Sequence, residues 1–295
     1  MKPKQLTKTQ AKDLMAKLGE PLREFKPLLD KDSFCNPVTF VNKYVVRKIN
    51  QEWHRKAEAE VSAIQFAKIH TSIPVPEIVY WDSEFIIYKK IDGENASKIW
   101  DTLSKRTQRK IMRQVISYVE EMQKYSFDKI GSLYGIKIGK VVNTQKGPFK
   151  RFDSFIISEY DKCLNDIKLP IKETFERFRK HILNYNPKMR YVFTHGDFAK
   201  KNLLIKHNSI VGVIDWEWSG SAPAILDLEE LDWCDKDLVK KSSIKQNYSQ
   251  KVIDIRDMTS HTMRCAYYKD WNIKDEKAYL EDVYKQVNEI MKRYE

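Results

Sequence analysis

Glycine is scarce in this chain, nine residues in 295, and no glycine-rich or RGG-like segment occurs. That absence removes the flexible cationic tails with which some proteins coat single-stranded nucleic acid. No apolar run approaches the ~20 residues needed to span a bilayer. The N-terminus, MKPKQLTKTQAKDLMAKLGE, lacks the apolar stretch of a secretory signal and instead spaces Leu6, Leu14, Met15 and Leu18 for a helix. A cytoplasmic location with no membrane partner is the expectation. The four cysteines, Cys35, Cys163, Cys234 and Cys265, show no C-x-x-C spacing, which argues for reduced thiols and against a zinc site or a disulfide framework. Internal repeats and low-complexity linkers are also missing.

Basic residues are plentiful. Lysine and arginine total 53 against 41 acids, a net charge of +12, and such a surface attracts phosphate-bearing partners. The lysines are spread along the chain rather than gathered into one block, so nucleic acid is not the expected partner. With 42% hydrophobic residues the chain can bury one large core or two modest ones.

The densest chemical signal runs from Tyr191 to Gly220, YVFTHGDFAKKNLLIKHNSIVGVIDWEWSG. His195, Gly196 and Asp197 are followed by Asn202, at the spacing of the catalytic loop H-R-D-x-x-x-x-N, which places a base and a metal ligand together. Two apolar runs, Leu203 to Ile205 and Ile210 to Ile214, predict a β-hairpin turning near Asn208. Such a hairpin returns Asp215 to the side of Asn202, and the pair offers the oxygen ligands that Mg²⁺ prefers. Turn chemistry explains an isolated Asp or Asn but not this ordered set.

HGDFAKKN followed by IDWE resembles the aminoglycoside phosphotransferase and choline kinase superfamily, whose motifs are H-G-D-x-x-x-x-N and I-D-[WF]-[DE]. TSIPVPEIVYWD and GPFKRFDSF are similar to segments of the phosphotransferase enzyme family, and the similar segments run from about Tyr44 to Asp227. The resemblance implies an α+β, two-lobed, protein-kinase-like fold. Residues 1–92 would form a small β-rich nucleotide-binding lobe, and residues 93–295 a larger, mainly helical lobe for catalysis and substrate. It implies a kinase that uses ATP (or GTP) and Mg²⁺ to phosphorylate a hydroxyl of a small-molecule acceptor. Asp197 would orient that hydroxyl, Asn202 and Asp215 would hold the metal, and His195 would brace the loop. If the strand continues past Asp215, Glu217 lies on the same side and is either a second metal ligand through water or an exposed acid.

In the same comparison YVVRK puts Arg47 where a cation grips the α- and β-phosphates, with Lys48 on the opposite strand face. A helix from about Arg55 to His70 offers Glu58 and Glu60, and Glu60 matches the family glutamate that holds the cation. The phosphate-covering loop falls on Ser33 to Pro37, where Ser33 and Asn36 replace the usual glycines. Tyr88, Lys89 and Ile91 belong to the segment that would border the adenine.

Before these parts lie a helix and a connector broken at Pro21 and Pro27, then a strand pair turning near Asn42 and Lys43. Apolar spacing predicts helices through Ile111 to Met122, Phe175 to Ile182 and Leu280 to Tyr294, so helices should dominate the second lobe. From Asp227 to Asp237 six acids face one lysine, and Trp216, Trp218, Trp233, Tyr268 and Trp271 add aromatic faces able to hold an ammonium group. Glu217, Glu230, Trp233 and Trp271 are therefore the candidates for contact with a cationic acceptor, aminoglycoside-like or choline-like. Asp227 itself is expected to cap the following helix. Two other readings stand beside the kinase: a pseudokinase that binds nucleotide or a partner, suggested by the glycine-poor loop, and a nucleic-acid-associated kinase fold, suggested by the charge.

Overall fold

The computed structural model describes residues 5–28, 37–49, 57–229, 231–244, 248–271 and 273–295. Ser33, Asn36, Cys35 and Glu230 lie outside the described residues, as does the side chain of Trp271.

The first helix, α1 (Lys8–Lys17), starts at a capping box in which the Thr7 side chain accepts from the Gln10 N–H while the Gln10 side chain accepts from the Thr7 N–H. After it come β1 (Phe25–Pro27), β2 (Val38–Val41), β3 (Tyr44–Lys48), α2 (Ala57–His70), β4 (Ile78–Trp81) and β5 (Phe85–Lys89). These strands form an antiparallel sheet in the order β1-β2-β3-β5-β4. Asn42, at φ +52°, makes the tight β2–β3 turn, and its side-chain oxygen accepts from the N–H groups of Arg23 and Glu24. The connector expected around Pro27 is in fact β1. Proline is tolerated there because β1 is the edge of the sheet and its missing N–H breaks no ladder.

Alternation along β3 sorts the two faces. Tyr44 and Val46 pack with Leu14 and Met15 of α1, while Ile86, Tyr88 and Ile49 pack with Val61, Ile64 and Ala67 of α2. Arg47 thereby turns toward α2, and Lys48 reaches Gln10 of α1 at 3.4 Å.

The chain then forms β6 (Glu94–Asn95), α3 (Ala96–Ile99), α4 (Lys105–Met122), β7 (Ser126–Phe127), β8 (Gly131–Tyr134), β9 (Lys137–Ile138), α5 (Phe152–Asp166) and α6 (Lys172–Ile182). It continues through β10 (Tyr191–Thr194), β11 (Leu203–Lys206), β12 (Ser209–Val213), β13 (Gly220–Pro223), α7 (Ile225–Glu229), α8 (Lys236–Lys241), α9 (Gln250–Tyr267) and α10 (Glu276–Met291). The predicted helical faces are buried: Ile111, Val115 and Met122 of α4, Phe175, Phe178 and Ile182 of α6, Val283, Val287 and Met291 of α10. Helices do dominate, but a sheet in the order β7-β10-β13-β8-β9 runs through this region and carries His195, Gly196 and Asp197 at the end of β10.

One core crosses from the first sheet to the second. Ile86 and Tyr88 share it with Ile111, Phe193, Phe198, Val213 and Trp216, so the first sheet and the later elements pack over one continuous core. Among the described residues no helix is long and apolar enough to cross a membrane. Cys163, Cys234 and Cys265 are buried and unbridged.

Candidate active site

Where β10 ends, His195, Gly196 and Asp197 turn sharply. Gly196 sits at φ +80°, and a Cβ there would lie 2.8 Å from the carbonyl oxygen of Trp218, so no larger residue fits. His195 is fully buried, its Nδ1 accepts the Asp197 N–H at 3.2 Å, and its Nε2 lies 3.2 Å from the Ile214 carbonyl. One neutral tautomer satisfies both contacts, and burial lowers the imidazole pKa in favour of that neutral form. The histidine braces the loop, as its surroundings in the sequence suggested.

Asp227 holds the same loop from below. Its carboxylate accepts the N–H groups of His195 at 3.1 Å and Gly196 at 2.8 Å. The expectation that it caps a helix fails, because it lies inside α7 with its side chain aimed at the loop. Burial pushes its pKa up to about 6, against the lowering effect of the two N–H donors.

The hairpin forms as predicted, with Leu203 opposite Val213 and Ile205 opposite Ile210. His207 and Asn208 both take positive φ, +49° and +59°, in the turn. Its open end is closed by the Ile214 N–H donating to the Asn202 carbonyl at 2.9 Å, which sets Asn202 and Asp215 side by side. The Asn202 side-chain amide donates to the Asp197 carbonyl at 2.8 Å, and this fixes which edge of the group holds its oxygen. Asp215 itself is left-handed, at φ +68°, ψ +60°. A non-glycine residue held there stores strain of the kind that gathers at functional sites.

That left-handed residue also redirects Glu217. The strand does not continue past Asp215 but enters a 3-10 turn, Trp216–Trp218, and Glu217 swings beneath to pair with Arg47. It is buried and not exposed, which corrects that one of its readings. Arg47 is the hub of this cluster. One guanidinium nitrogen lies 3.1 Å from Glu60 and 2.8 Å from Asp215, while the other meets Glu217. Burial would lower the arginine pKa, but Glu60 and Asp215 outweigh it and the net direction is up. The Tyr88 hydroxyl donates to Glu60 at 2.6 Å, and burial, reinforced by that carboxylate, raises the phenol well above its ordinary range. Lys89 pairs with Glu77, and its N–H, like that of Lys90, is bonded within the fold. Ile91 packs against Gly212 of the hairpin.

Asp197 faces outward at 16% side-chain exposure, 2.9 Å from the ammonium of Lys201. Of the aromatic faces singled out for an ammonium group, two are taken up within the fold. Trp216 is a fully buried core residue stacked on Phe193, and Trp233 meets Trp100 edge to face with the chain's own Lys200 lying over both rings. Among the described residues no group of three or more His, Cys, Asp or Glu is arranged to hold a metal. An Asn oxygen beside one carboxylate suits Mg²⁺, which takes few protein ligands and completes its shell with phosphates and water.

Residues 33–230 match the family described as the phosphotransferase enzyme family. The chain belongs to that family. No curated protein matches it. Among solved structures it is similar to the gentamicin complex of APH(2")-IIa, at 17% identity and TM-score 0.60, covering 99% of this chain and 91% of that one. It is likewise similar to the spectinomycin phosphotransferase APH(9)-Ia with ADP and spectinomycin (14%, 0.58, 97% and 98%) and to a macrolide 2'-phosphotransferase type I (12%, 0.59, 94% and 97%). At these identities the shared property is the protein-kinase-like, α+β fold.

Sequence reasoning missed the role of Asp227 and the nearness of Lys201 to Asp197. A signal for the first exists in AILDL, where a lone acid interrupts an apolar run and so predicts a buried carboxylate with backbone partners.

Proposed function

We propose that this phosphotransferase is a small-molecule kinase that binds ATP or GTP with Mg²⁺ between residues 1–92 and 93–295. It transfers the γ-phosphoryl group to a hydroxyl. The observation that carries this reading is the convergence of Asp197, Asn202 and Asp215 at the open end of one hairpin, with Arg47 reaching the same point from β3.

Asp197, partly open to solvent beside Lys201, orients the acceptor hydroxyl and takes up its proton as the oxygen attacks. Asn202 and Asp215 would hold Mg²⁺, which when bound neutralises charge on the β- and γ-phosphates. Arg47, now on three carboxylates, is anchored by Glu60 and Glu217 while its contact to Asp215 leaves it at the phosphate end of the cleft. Lys201, beside Asp197, would turn to the transferred phosphoryl group once Asp197 has taken the proton and lost its charge.

Asp197→Asn and Asp215→Ala each lower turnover by about 10²-fold or more while the protein stays folded, as expected for a base and a metal ligand. The measurement is transfer from γ-labelled nucleotide across a panel of hydroxyl compounds, with melting curves as the fold control. Native turnover by Asp215→Ala would remove the metal assignment. Tight nucleotide binding without transfer to any alcohol would favour the pseudokinase.

A further inference from the structure

Helix α2 brings Glu60 to Arg47, yet the first sheet alone does not hold it. Ala59 to Ile64 are buried without a break, so the helix is a wedge with neighbours all round and not an amphipathic cover. Glu60 meets Arg47 and Tyr88 on one side. Ser62, two positions on and so roughly 200° further round the helix, faces the other way. Its hydroxyl oxygen, in a residue 5% exposed, accepts the Gly135 N–H at 2.9 Å.

Gly135 makes the turn between β8 and β9, at φ +61°. That hairpin is tied to the loop that carries Asp197. β8 pairs with β13, Ser132 opposite Gly220, and β13 pairs with β10, Gly220 opposite Thr194. The Ser219 hydroxyl donates to the His195 carbonyl at 2.9 Å. Within the hairpin the packing leaves no slack. A Cβ at Gly131 would lie 2.1 Å from the Gly139 carbonyl oxygen, and one at Gly139 would lie 2.4 Å from the Tyr134 ring. Phe66 of α2 also lies against Phe193 of β10, with ring centroids 4.7 Å apart. An apolar contact sets the spacing between helix and sheet but is non-directional, whereas a hydrogen bond with a fixed donor also sets slide and rotation.

Building on the kinase reading above, we infer that Ser62 is a positioning residue for the nucleotide. By accepting the Gly135 N–H it fixes α2 along and about its axis, and through Glu60 it fixes the Arg47 guanidinium relative to the Asp197 loop. The cation from β3 and the carboxylate after β10 then share one frame, the second sheet. Ser62 touches no phosphate itself, so its effect passes through Glu60 and falls on nucleotide affinity.

The test uses the full chain with MgAMP-PNP as the probe and calorimetric titration as the measurement. Ser62→Ala is expected to raise the Kd by about fivefold, the worth of one neutral hydrogen bond, in protein that still melts in a single transition. In a Glu60→Gln background the same change should add less than about twofold, because the route to Arg47 is already weakened. Coupling is reciprocal, so MgAMP-PNP should slow hydrogen exchange at the Gly135 N–H of the unaltered chain by about the same fivefold factor, beyond any slowing of the α6 amides. Ser62→Ala that melts lower but binds at the native Kd overturns the inference, as does an equal rise in Kd with and without Glu60→Gln. Both results leave the kinase reading standing. Should Ser62→Ala fail to fold, exchange in the unaltered chain decides, and slowing at Gly135 no greater than in α6 overturns the inference. A chain that binds no nucleotide removes the kinase reading, and the role of Ser62 goes with it.

Discussion

Asp227 is 1% exposed, and its two oxygens face two backbone N–H groups of the loop that carries Asp197. Folding raises its pKa from an ordinary 3.8 to about 6, so between those values the folded protein keeps a proton that the unfolded chain has released. The stability this group contributes is therefore fully present below the lower value and is lost as pH rises through the upper one. A shift of this size corresponds to about 3 kcal/mol. Relative to Asp227→Asn, the native chain should lose stability by up to that amount as pH climbs from about 4 to about 6, measured by urea unfolding of both proteins. Turnover moves the other way. Protonation removes a strong acceptor from the His195 and Gly196 N–H groups, so kcat should fall as pH drops through about 6. Asp227→Asn, whose amide cannot accept from both donors, should lose that pH limb and run up to about 10²-fold slower throughout, since loop misplacement of an ångström has that effect. A pH profile unchanged by the substitution would show that Asp227 only fills space.

At the scale of elements, the β11–β12 hairpin is the device that gathers the site, and its turn is its weakest part. His207 and Asn208 both occupy the left-handed region, which suits Asn and Gly far better than histidine. The pair His207→Asn with Asn208→Gly should stabilise the protein by about 0.4–1 kcal/mol and leave kcat unchanged, because the turn is at the far end from Asn202 and Asp215. Thermal unfolding with a parallel transfer assay checks both halves. This hairpin was legible from sequence because its apolar runs are bounded by turn residues, and α4 because Ile111, Val115 and Met122 keep helical spacing. The strands of the second sheet were not. Gly220–Pro223 reads Gly-Ser-Ala-Pro and β7 has two residues, so neither shows alternation or branched side chains. Their pairing is imposed by neighbours distant in the chain: a Cβ at Gly220 would lie 2.5 Å from the Gly131 carbonyl oxygen of β8. Glu217 was misread for a related reason, since the expectation assumed a strand where Asp215 reverses the backbone.

For the whole molecule, the decisive feature is that the Arg47 cluster joins two parts of the chain far apart in sequence. Arg47 and Glu60 come from the first sheet and α2, Asp215 and Glu217 from the end of the hairpin, and all four meet over a continuous core. A ligand that engages both sides binds the folded chain and not the unfolded one, so MgATP at a hundred times its Kd should add about 2.7 kcal/mol to global stability. The melting temperature should rise with both ATP and Mg²⁺ present, and ATP with a chelator should give a smaller shift supported by Arg47 alone. Asp215→Ala should erase the Mg²⁺-dependent part while keeping the remainder. The +12 charge offers a competing source of stabilisation by any polyanion, and the two differ in salt dependence. Charge-driven RNA binding weakens steeply between about 50 and 200 mM salt, whereas a metal-bridged nucleotide in a partly buried cleft weakens far less. A shift that is the same with and without Mg²⁺ and that vanishes at the higher salt would mean the basic surface, and not the hairpin's Asn and Asp, receives the nucleotide.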